Sequence, residues 1–177
     1  MLPTIPQFQL TAARQDSPEA LLQLIHEATL DTIGGVLDGD TMSTLTADQI
    51  TLLAYCFLRE EVMEGGFIQL IHNGYGAFIF INPFAKAIRQ WSEQIQSATL
   101  ADVLHDFSKK VYKGRRLFEQ FEEELTLDID DDEFMALYEQ FPLFDTLDDY
   151  FIDAEEQITA AVATYVDMHM EQFCTIN

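Results

Sequence analysis

The sequence lacks several features that would define a function class directly. Two cysteines, Cys56 and Cys174, are too few for a disulfide framework, and no Cys-x-x-Cys or His-x-x-x-His pair is present for zinc. No Glu-x-x-His pair indicates a di-iron bundle, and no glycine-rich loop is suited to phosphate. There is no apolar run of the roughly 20 residues of a membrane helix, and no basic segment that precedes an apolar run at the N-terminus. These absences favour a cytoplasmic, non-catalytic protein with no cofactor, no resident metal and no membrane segment.

The last third of the chain also lacks basic residues. Residues 117–177 contain eighteen acidic residues and no Lys or Arg, whereas residues 1–116 contain thirteen acidic and all nine basic residues. The net charge of −22 therefore divides into −18 and −4. Nucleic acids and anionic membranes would be repelled by such a protein, so neither is expected as a direct partner.

This acidic third is nevertheless rich in apolar residues. Acidic bias is typical of disordered tails, because a polar, self-repelling chain cannot bury enough surface to fold. Here the acids alternate with large apolar side chains such as Phe118, Phe134 and Phe151, and the whole chain is 48% hydrophobic and 12% aromatic. We therefore predict an all-α fold, a single compact multi-helix domain whose strongly acidic C-terminal third is folded and amphipathic.

The N-terminal residues predict a short segment outside this domain. Pro3 and Pro6 favour an extended arm over residues 1–16. Ser17 followed by Pro18 then predicts a helix start, because Ser caps a helix and Pro is tolerated at the first helical position. The single helical domain is accordingly predicted to cover residues 17–177.

A second helix is predicted to form the centre of the core. Thr46 and Gln49 have the spacing of a capping box, which marks a helix start. Ile50 to Leu58 is apolar on nearly all sides, as expected of a helix buried by its neighbours. Gly65-Gly66 is predicted to end this helix, and Phe67 to His72 to form a short helix after it.

The later helices are predicted from the same kinds of signal. Asn82-Pro83 and the pair Thr99 and Asp102 predict helix starts, and Gly114 predicts a helix end. Phe78 to Ile81 is the only β-prone run. Three further helices are predicted around residues 115–126, 131–140 and 148–173.

The aspartates after Leu127 allow two interpretations. Asp128, Asp130, Asp132 and Glu139 have the 1, 3, 5 and 12 spacing of a calcium-binding EF-hand loop, but Glu133 replaces the glycine needed at position 6. Alternatively, the aspartates cap a helix N-terminus and stabilise its dipole. We favour the helix start, because the missing glycine makes the sharp calcium-binding turn difficult.

One constellation suggests an enzyme. His72, His105 and Asp106 loosely resemble the metal set of helical HD-type phosphohydrolases. Helical periodicity places His105 on the polar side of its helix, away from the apolar stripe, which argues against a ligand pointing into a metal site. A metal-dependent hydrolase is therefore the least favoured of the alternatives.

The basic residues are concentrated at one place. Lys109, Lys110, Lys113, Arg115 and Arg116 account for five of the nine cations. A nucleic-acid patch would have this composition. We instead predict that the cluster complements a helix C-terminus near Gly114 and balances neighbouring acids.

The remaining signal is the acidic surface itself. Helical spacing places Asp149, Asp153, Glu156, Asp167 and Glu171 roughly on one side of the last helix. Much of the affinity of a DNA-binding protein comes from phosphate charge, so a rigid array of carboxylates can attract its DNA-binding surface. A solvated face that keeps the protein soluble is the alternative. The predicted partner-binding carboxylates, called the acidic set below, are Glu119, Glu122, Glu123, Asp131, Asp132, Asp148, Asp149, Asp153, Glu156, Asp167 and Glu171.

Two blocks of sequence resemble the bacterial DNA-mimic (DMP) family, formerly a domain of unknown function. The first is a Glu four residues before Gly-Gly, followed by Phe-x-Gln and then Asn-Gly; the second is the stretch Leu143 to Phe151. The similarity covers about residues 45 to 170, and Glu64 departs from it where the family usually has Asn. The first block, called the Gly-Gly block below, consists of Glu61, Gly65, Gly66, Phe67, Gln69, Asn73 and Gly74. We assign these residues a structural role in the turn.

The resemblance implies a helical protein whose carboxylates imitate DNA phosphates. Its partner would be a basic DNA-binding protein such as a transcription regulator, and a homodimer would match the two-fold symmetry of many such proteins. An immunity-type inhibitor of a basic toxin or nuclease would use the same electrostatics. The sequence does not separate these two classes, whereas the identity of the captured partner would.

Overall fold

The computed structural model describes residues 1–81 and 83–177. Within these residues the fold is all-α, as predicted, with two very short strands at its ends. A π-helix (Ala77–Ile81) lies between α4 and α5, and short 3₁₀ turns (Pro142–Phe144 and Met170–Gln172) flank the last helix. In chain order the strands and α-helices are β1 (Thr4–Ile5), α1 (Gln7–Asp16), α2 (Pro18–Thr32), α3 (Gly39–Met42), α4 (Ala47–His72), α5 (Phe84–Ser92), α6 (Ala98–Leu125), α7 (Asp131–Gln140), α8 (Asp145–Met168) and β2 (Thr175–Ile176).

The N-terminal residues belong to the packed domain. The prediction of an extended arm is wrong for residues 7–16, which form α1. Pro6 precedes the helix in an extended conformation, so its fixed φ serves the helix start and does not prevent a helix. Ile5 and Leu10 are fully buried in the common core, and β1 pairs in parallel with β2 near the C-terminus.

Helix α4 is the centre of the core, as its sequence predicts. Its start is the predicted capping box: the Thr46 hydroxyl accepts from the Gln49 N–H at 3.0 Å, and the Gln49 side chain accepts from the Thr46 N–H at 2.9 Å. Leu52, Tyr55 and Leu58 are almost completely buried. Each such burial contributes about 1.5–3 kcal/mol relative to an exposed side chain.

The predicted break at Gly65-Gly66 is confirmed. Gly65 (φ −149°, ψ 15°) and Gly66 (φ 78°, ψ −177°) leave the helical conformation, and the chain then turns helical again until His72. The positive φ of Gly66 lies in the region that favours glycine. We call these two residues the Gly-Gly kink.

Helix α6 is longer than predicted. Its N-cap is Ser97, whose hydroxyl accepts from the Leu100 N–H at 3.4 Å, so the predicted start at Thr99 and Asp102 is wrong. The predicted end at Gly114 is also wrong, because the helix continues to Leu125. Gly114 is a packing position: a Cβ there would lie 2.8 Å from Phe80 and 3.0 Å from Leu147.

Two smaller predictions have different outcomes. The β-prone run Phe78 to Ile81 belongs to the π-helix, in which Ile79 and Phe80 are buried against the core. A helical turn thus buries Ile79 and Phe80, as a strand would also have done. The predicted helix start at Asn82-Pro83 falls partly outside the described residues.

Helix α8 packs across the molecule. It contacts α2, α4 and α6, and its inner face contains Phe151, Ile158 and Val162. The buried hydroxyls of Tyr55 and Thr159 are 2.7 Å apart and join α4 to α8. Each acidic residue of α8 is thus fixed in position by a helix that is anchored along one face.

No helix in the described part of the chain is both long enough and apolar enough to span a membrane.

Candidate partner-binding surface

The acidic set is mostly at the surface. Ten of its eleven residues are exposed, and Asp148 alone is half-buried. They lie on the C-terminal half of α6, at the start of α7, along α8 and in the turn that follows it. Glu171 lies beyond the end of α8, so the straight helical array runs from Asp149 to Asp167, or about 27 Å at the usual helical rise.

The aspartates before α7 form a helix start. The Asp130 carboxylate accepts from the Glu133 N–H at 2.9 Å, and the Glu133 carboxylate accepts from the Asp130 N–H at 3.1 Å. Asp131 and Asp132 follow in the first turn, where negative charge stabilises the helix dipole. The capping interpretation is confirmed, and this geometry differs from that of an EF-hand loop.

Asp148 has a role inside the fold. Its Oδ1 atom accepts a hydrogen bond of 2.8 Å from the N–H of Phe67, directly after the Gly-Gly kink. The Tyr138 hydroxyl donates to the Gly65 carbonyl at 2.7 Å. Tyr138 of α7 and Asp148 of α8 thus bond the Gly65 carbonyl and the Phe67 N–H at the kink, where the helical backbone geometry of α4 is interrupted.

The other residues of the Gly-Gly block form a small hydrogen-bonded cluster. The Gln69 amide donates to the carboxylates of Glu61 and Glu64, both at 3.2 Å. The Asn73 amide donates to Glu61 at 2.8 Å. The block thus connects the helix before the kink to the helix after it, while Phe67 is buried below.

Burial changes the pKa of Asp148. Desolvation raises it from the ordinary 3.8 to about 6, the Phe67 N–H opposes this shift, and the charges of Asp145 and Asp149 add to it. Burial and the charge of Asp148 in turn raise the pKa of the Tyr138 hydroxyl. A tyrosine hydroxyl is protonated at neutral pH even without this shift, so it can donate to the Gly65 carbonyl.

Two members of the acidic set are paired with arginines of this chain. Arg14 Nε lies 2.6 Å from Asp167 Oδ1, and Arg115 Nε lies 2.8 Å from Glu119 Oε1. Of the five cations around Gly114, Arg115 thus balances an acid, but the predicted helix C-terminus there is wrong, because α6 continues to Leu125. Lys110 also lies over the ring of Tyr150, 4.8 Å from its centroid.

A third arginine joins three helices. Arg59 Nη1 lies 2.9 Å from Glu19 Oε1, and Arg59 Nε lies 2.5 Å from Glu155 Oε1. Glu155 also accepts from the Thr159 hydroxyl at 2.8 Å. The Glu155 carboxylate of α8 is thus partly neutralised by an arginine of α4.

An open groove of ≈ 710 Å³ lies beside the kink, between α4, α7 and α8. Asp148 and Asp149 of the acidic set line it, together with two carboxylates outside that set, Glu64 and Asp145. Glu64 lies about eighty positions before Asp145, Asp148 and Asp149, so no periodicity within one helix relates it to them. We call this feature the kink groove; it is lined by Val62, Met63, Glu64, Gly65, Gly66, Gln69, Phe134, Met135, Tyr138, Asp145, Asp148, Asp149 and Ile152.

One of the predicted hydrolase residues, His72, is held by contacts within the fold. His72 stacks near Phe134 with ring centroids 4.6 Å apart, and its Nδ1 lies 3.3 Å from the Leu125 carbonyl oxygen. Across residues 1–81 and 83–177, no three His, Cys, Asp or Glu side chains are arranged to hold a metal ion. Of the two cysteines, Cys174 is buried, and burial raises the pKa of the Cys56 thiol to about 12.

Comparison with known proteins places these features in a family. A family model described as DMP19-like protein matches residues 43–169. The chain belongs to the DMP19-like protein family. It is also 34% identical, over 164 residues, to the DNA mimic protein DMP19 of Neisseria meningitidis serogroup B (strain ATCC BAA-335 / MC58), with 92% of each chain covered. The resemblance inferred from the Gly-Gly block and from Leu143 to Phe151 is thereby confirmed.

The family match includes the kink groove and most of the acidic set. It begins just before α4 and ends at the residue after α8, so α1, α2 and α3 lie outside the matched residues. Glu171 alone of the acidic set falls beyond it. The matched residues thus form a helical support for exposed carboxylates, with Asp148 alone of the acidic set half-buried in it.

Proposed function

We propose that this protein is a non-catalytic DNA mimic that occupies the DNA-binding surface of a basic protein such as a transcription regulator. The observation that carries the proposal is the array of exposed carboxylates on α6, α7 and α8, most of which have no arginine or lysine partner among the described residues. The similarity to a DNA mimic protein supports this interpretation.

The physical basis is the resemblance between fixed carboxylates and phosphates. DNA-binding surfaces obtain most of their non-specific affinity from phosphate charge, which carries no sequence information. Carboxylates held on anchored helices provide negative charge without ordering a flexible chain on binding. Asp149, Asp153 and Glu156 are the best placed, because they are exposed on a helix anchored along its other face.

A homodimer would extend the array. Many DNA-binding proteins are two-fold symmetric, and two copies of this protein related by a two-fold axis would offer carboxylates to both half-sites. Size-exclusion chromatography with light scattering tests this directly. A monomer at working concentration would count against the dimeric arrangement, without excluding mimicry by one copy.

The decisive experiment is capture of the partner. The protein is immobilised and exposed to nuclease-treated lysate of the source organism at ~0.1 M salt, where charge pairs are only partly screened, and bound proteins are eluted with salt. We expect a DNA-binding protein that leaves the resin as salt rises and that duplex DNA displaces.

Other outcomes would contradict the proposal. Recovery of a toxin would favour the immunity-type inhibitor, which uses the same carboxylates on a different partner. Failure to retain any basic protein would leave the acidic set as a solvated face. The protein with Asp149, Asp153 and Glu156 changed to Asn or Gln is the matched control resin, since it lacks these charges but keeps the side-chain shapes.

A further inference from the structure

The kink groove combines negative charge with exposed apolar side chains. Met63, Met135 and Ile152 line it and are 43%, 62% and 49% exposed. Each comes from a different helix, and large apolar side chains brought together in an open groove are typical of an interaction surface. A DNA phosphate array has no counterpart to these aliphatic groups.

The charges of the groove have one sign. Glu64, Asp145 and Asp149 line it and are exposed, whereas none of the described residues that line it is Lys or Arg. A partner must therefore bring positive charge together with apolar side chains. A helix that carries both at i, i+3, i+4 and i+7 spacing has this composition and a shape suited to a groove between helices.

The walls of the groove are preorganised. The hydrogen bonds from Tyr138 to Gly65 and from Phe67 to Asp148 join all three walls at the kink. A preformed groove loses little conformational freedom on binding. The methionines that line it have flexible, polarisable side chains, which adapt to apolar partners of different shape.

We propose that the kink groove docks a basic amphipathic helix of the partner, with its aliphatic side chains against Met63, Met135 and Ile152 and its Lys or Arg side chains against Glu64, Asp145 and Asp149. The inference rests on the proposed function only in taking a basic protein as partner. The acidic set then supplies long-range attraction, while the groove selects among basic proteins by aliphatic contacts that a phosphate array does not offer.

The test uses two synthetic peptides of equal length, composition and charge. One, about 18 residues or five helical turns long, has Leu on one face and Lys on the other; the second has the same residues in an order without an apolar face. Binding of each labelled peptide to the full-length protein is measured by fluorescence anisotropy at ~0.15 M salt, where the charge contribution is reduced. We expect the amphipathic peptide to bind at least about tenfold more tightly.

The double variant Met135→Gln/Ile152→Gln removes apolar contacts and no charge. It should bind the two peptides with similar affinity. Met168→Gln is the matched control, because Met168 is 46% exposed on α8, close to Asp167, and does not line the groove. This control should keep the preference for the amphipathic peptide. Because Met135, Ile152 and Met168 are exposed, the helicity and Tm of both variants should match those of the original protein.

Three results would overturn the inference. The first is equal binding of the two peptides to the original protein. The second is an equal loss of the preference for the amphipathic peptide in the groove variant and in the Met168→Gln control. The third is a dimer that the groove substitutions convert to a monomer, which would assign the groove to a second copy. Failure of the proposed function has a different signature, since the capture experiment would then yield no DNA-binding protein whatever the peptides do.

Discussion

The two ends of helix α8 carry acidic residues in different surroundings. At the N-terminal end, Asp149 and Asp153 are exposed, and Asp149 lies beside a groove with no basic residue in its described lining. At the C-terminal end, Asp167 forms an ion pair with Arg14 of α1. Between them, Glu155 is held by Arg59. The comparison teaches that the number of acids does not give the available negative charge, because α1 and α4 bring arginines to the C-terminal end and the middle of the helix.

The largest expected effect comes from reversing charge at each end in turn. Changing Asp149, Asp153 and Glu156 to Lys should weaken binding of the captured partner by at least about a hundredfold, since several phosphate-like contacts become repulsive. Changing Asp167 and Glu171 to Lys should weaken it much less, because Arg14 already offsets Asp167. Affinities by calorimetry, with helicity as the folding control, measure the difference. Equal losses at both ends would refute the distinction between them.

The next effect concerns the kink that supports the N-terminal end. In Gly66→Ala, the new Cβ would lie 2.6 Å from Asp148 Oδ2 in a backbone with φ 78°. We expect the free energy of unfolding to fall by about 2–4 kcal/mol, from backbone strain together with displacement of the carboxylate.

Gly34→Ala is the control for that substitution. Gly34 has a similar φ of 68°, but a Cβ added there would have no atom within 4 Å. The free energy of unfolding of this variant should fall only by the cost of backbone strain, about 1 kcal/mol. Denaturant unfolding of both variants gives the difference. Equal losses would mean that the contact with Asp148 contributes nothing.

A smaller effect, on the pH dependence of stability, distinguishes Asp148 from Asp149. The folded pKa of about 6 lies above the ordinary 3.8, so the stability associated with protonated Asp148 is complete below pH 3.8 and is lost as pH rises through about 6. Asp148→Asn cannot ionise and can still accept from the Phe67 N–H. It should therefore raise Tm by a few degrees at pH 7.5, and the gain should vanish near pH 4.

Asp149→Asn removes the same charge from an exposed position. Its change in Tm at pH 7.5 should be smaller than that of Asp148→Asn, because the exposed carboxylate is already solvated. Melting curves from pH 4 to pH 8 test both variants. A gain from Asp148→Asn that persists unchanged at pH 4 would show that ionisation is not its cause.

The smallest effect is at the C-terminal end. The side chains of Arg14 and Asp167 are 34% and 45% exposed, and ion pairs at such positions contribute about 0–1 kcal/mol. Arg14→Ala should therefore change the free energy of unfolding by less than about 1 kcal/mol. If Arg14 screens Asp167, this variant should bind the partner slightly more tightly at low salt. Weaker binding would assign Arg14 a different role.

The sequence predicts the elements that depend on neighbours along the chain. The caps at Ser17 and Thr46, the break at Gly65-Gly66 and the start of α7 at Asp130 are all determined within about four residues, the distance over which a side chain reaches its own backbone. The buried stripe of α4 follows from apolar residues at every turn. These features needed no information about other helices.

Two of the errors occur where distant residues decide. Gly114 has the composition of a helix end, but Phe80 and Leu147 pack against its bare Cα in the middle of α6. The N-terminal prolines predict an arm, yet Leu10 is buried and helix α1 packs on α2. In both places tertiary packing outweighs local propensity.

The sequence alone determined an all-α protein with an acidic, folded C-terminal third, and the Gly-Gly block indicated its family. Which carboxylates remain unpaired was decided by the tertiary structure, since Arg14 and Arg59 reach α8 from other helices. The kink groove was decided there too, because Met63, Met135 and Ile152 lie on three different helices. Charge and periodicity are properties of a segment, whereas pairing and grooves arise only when segments pack together.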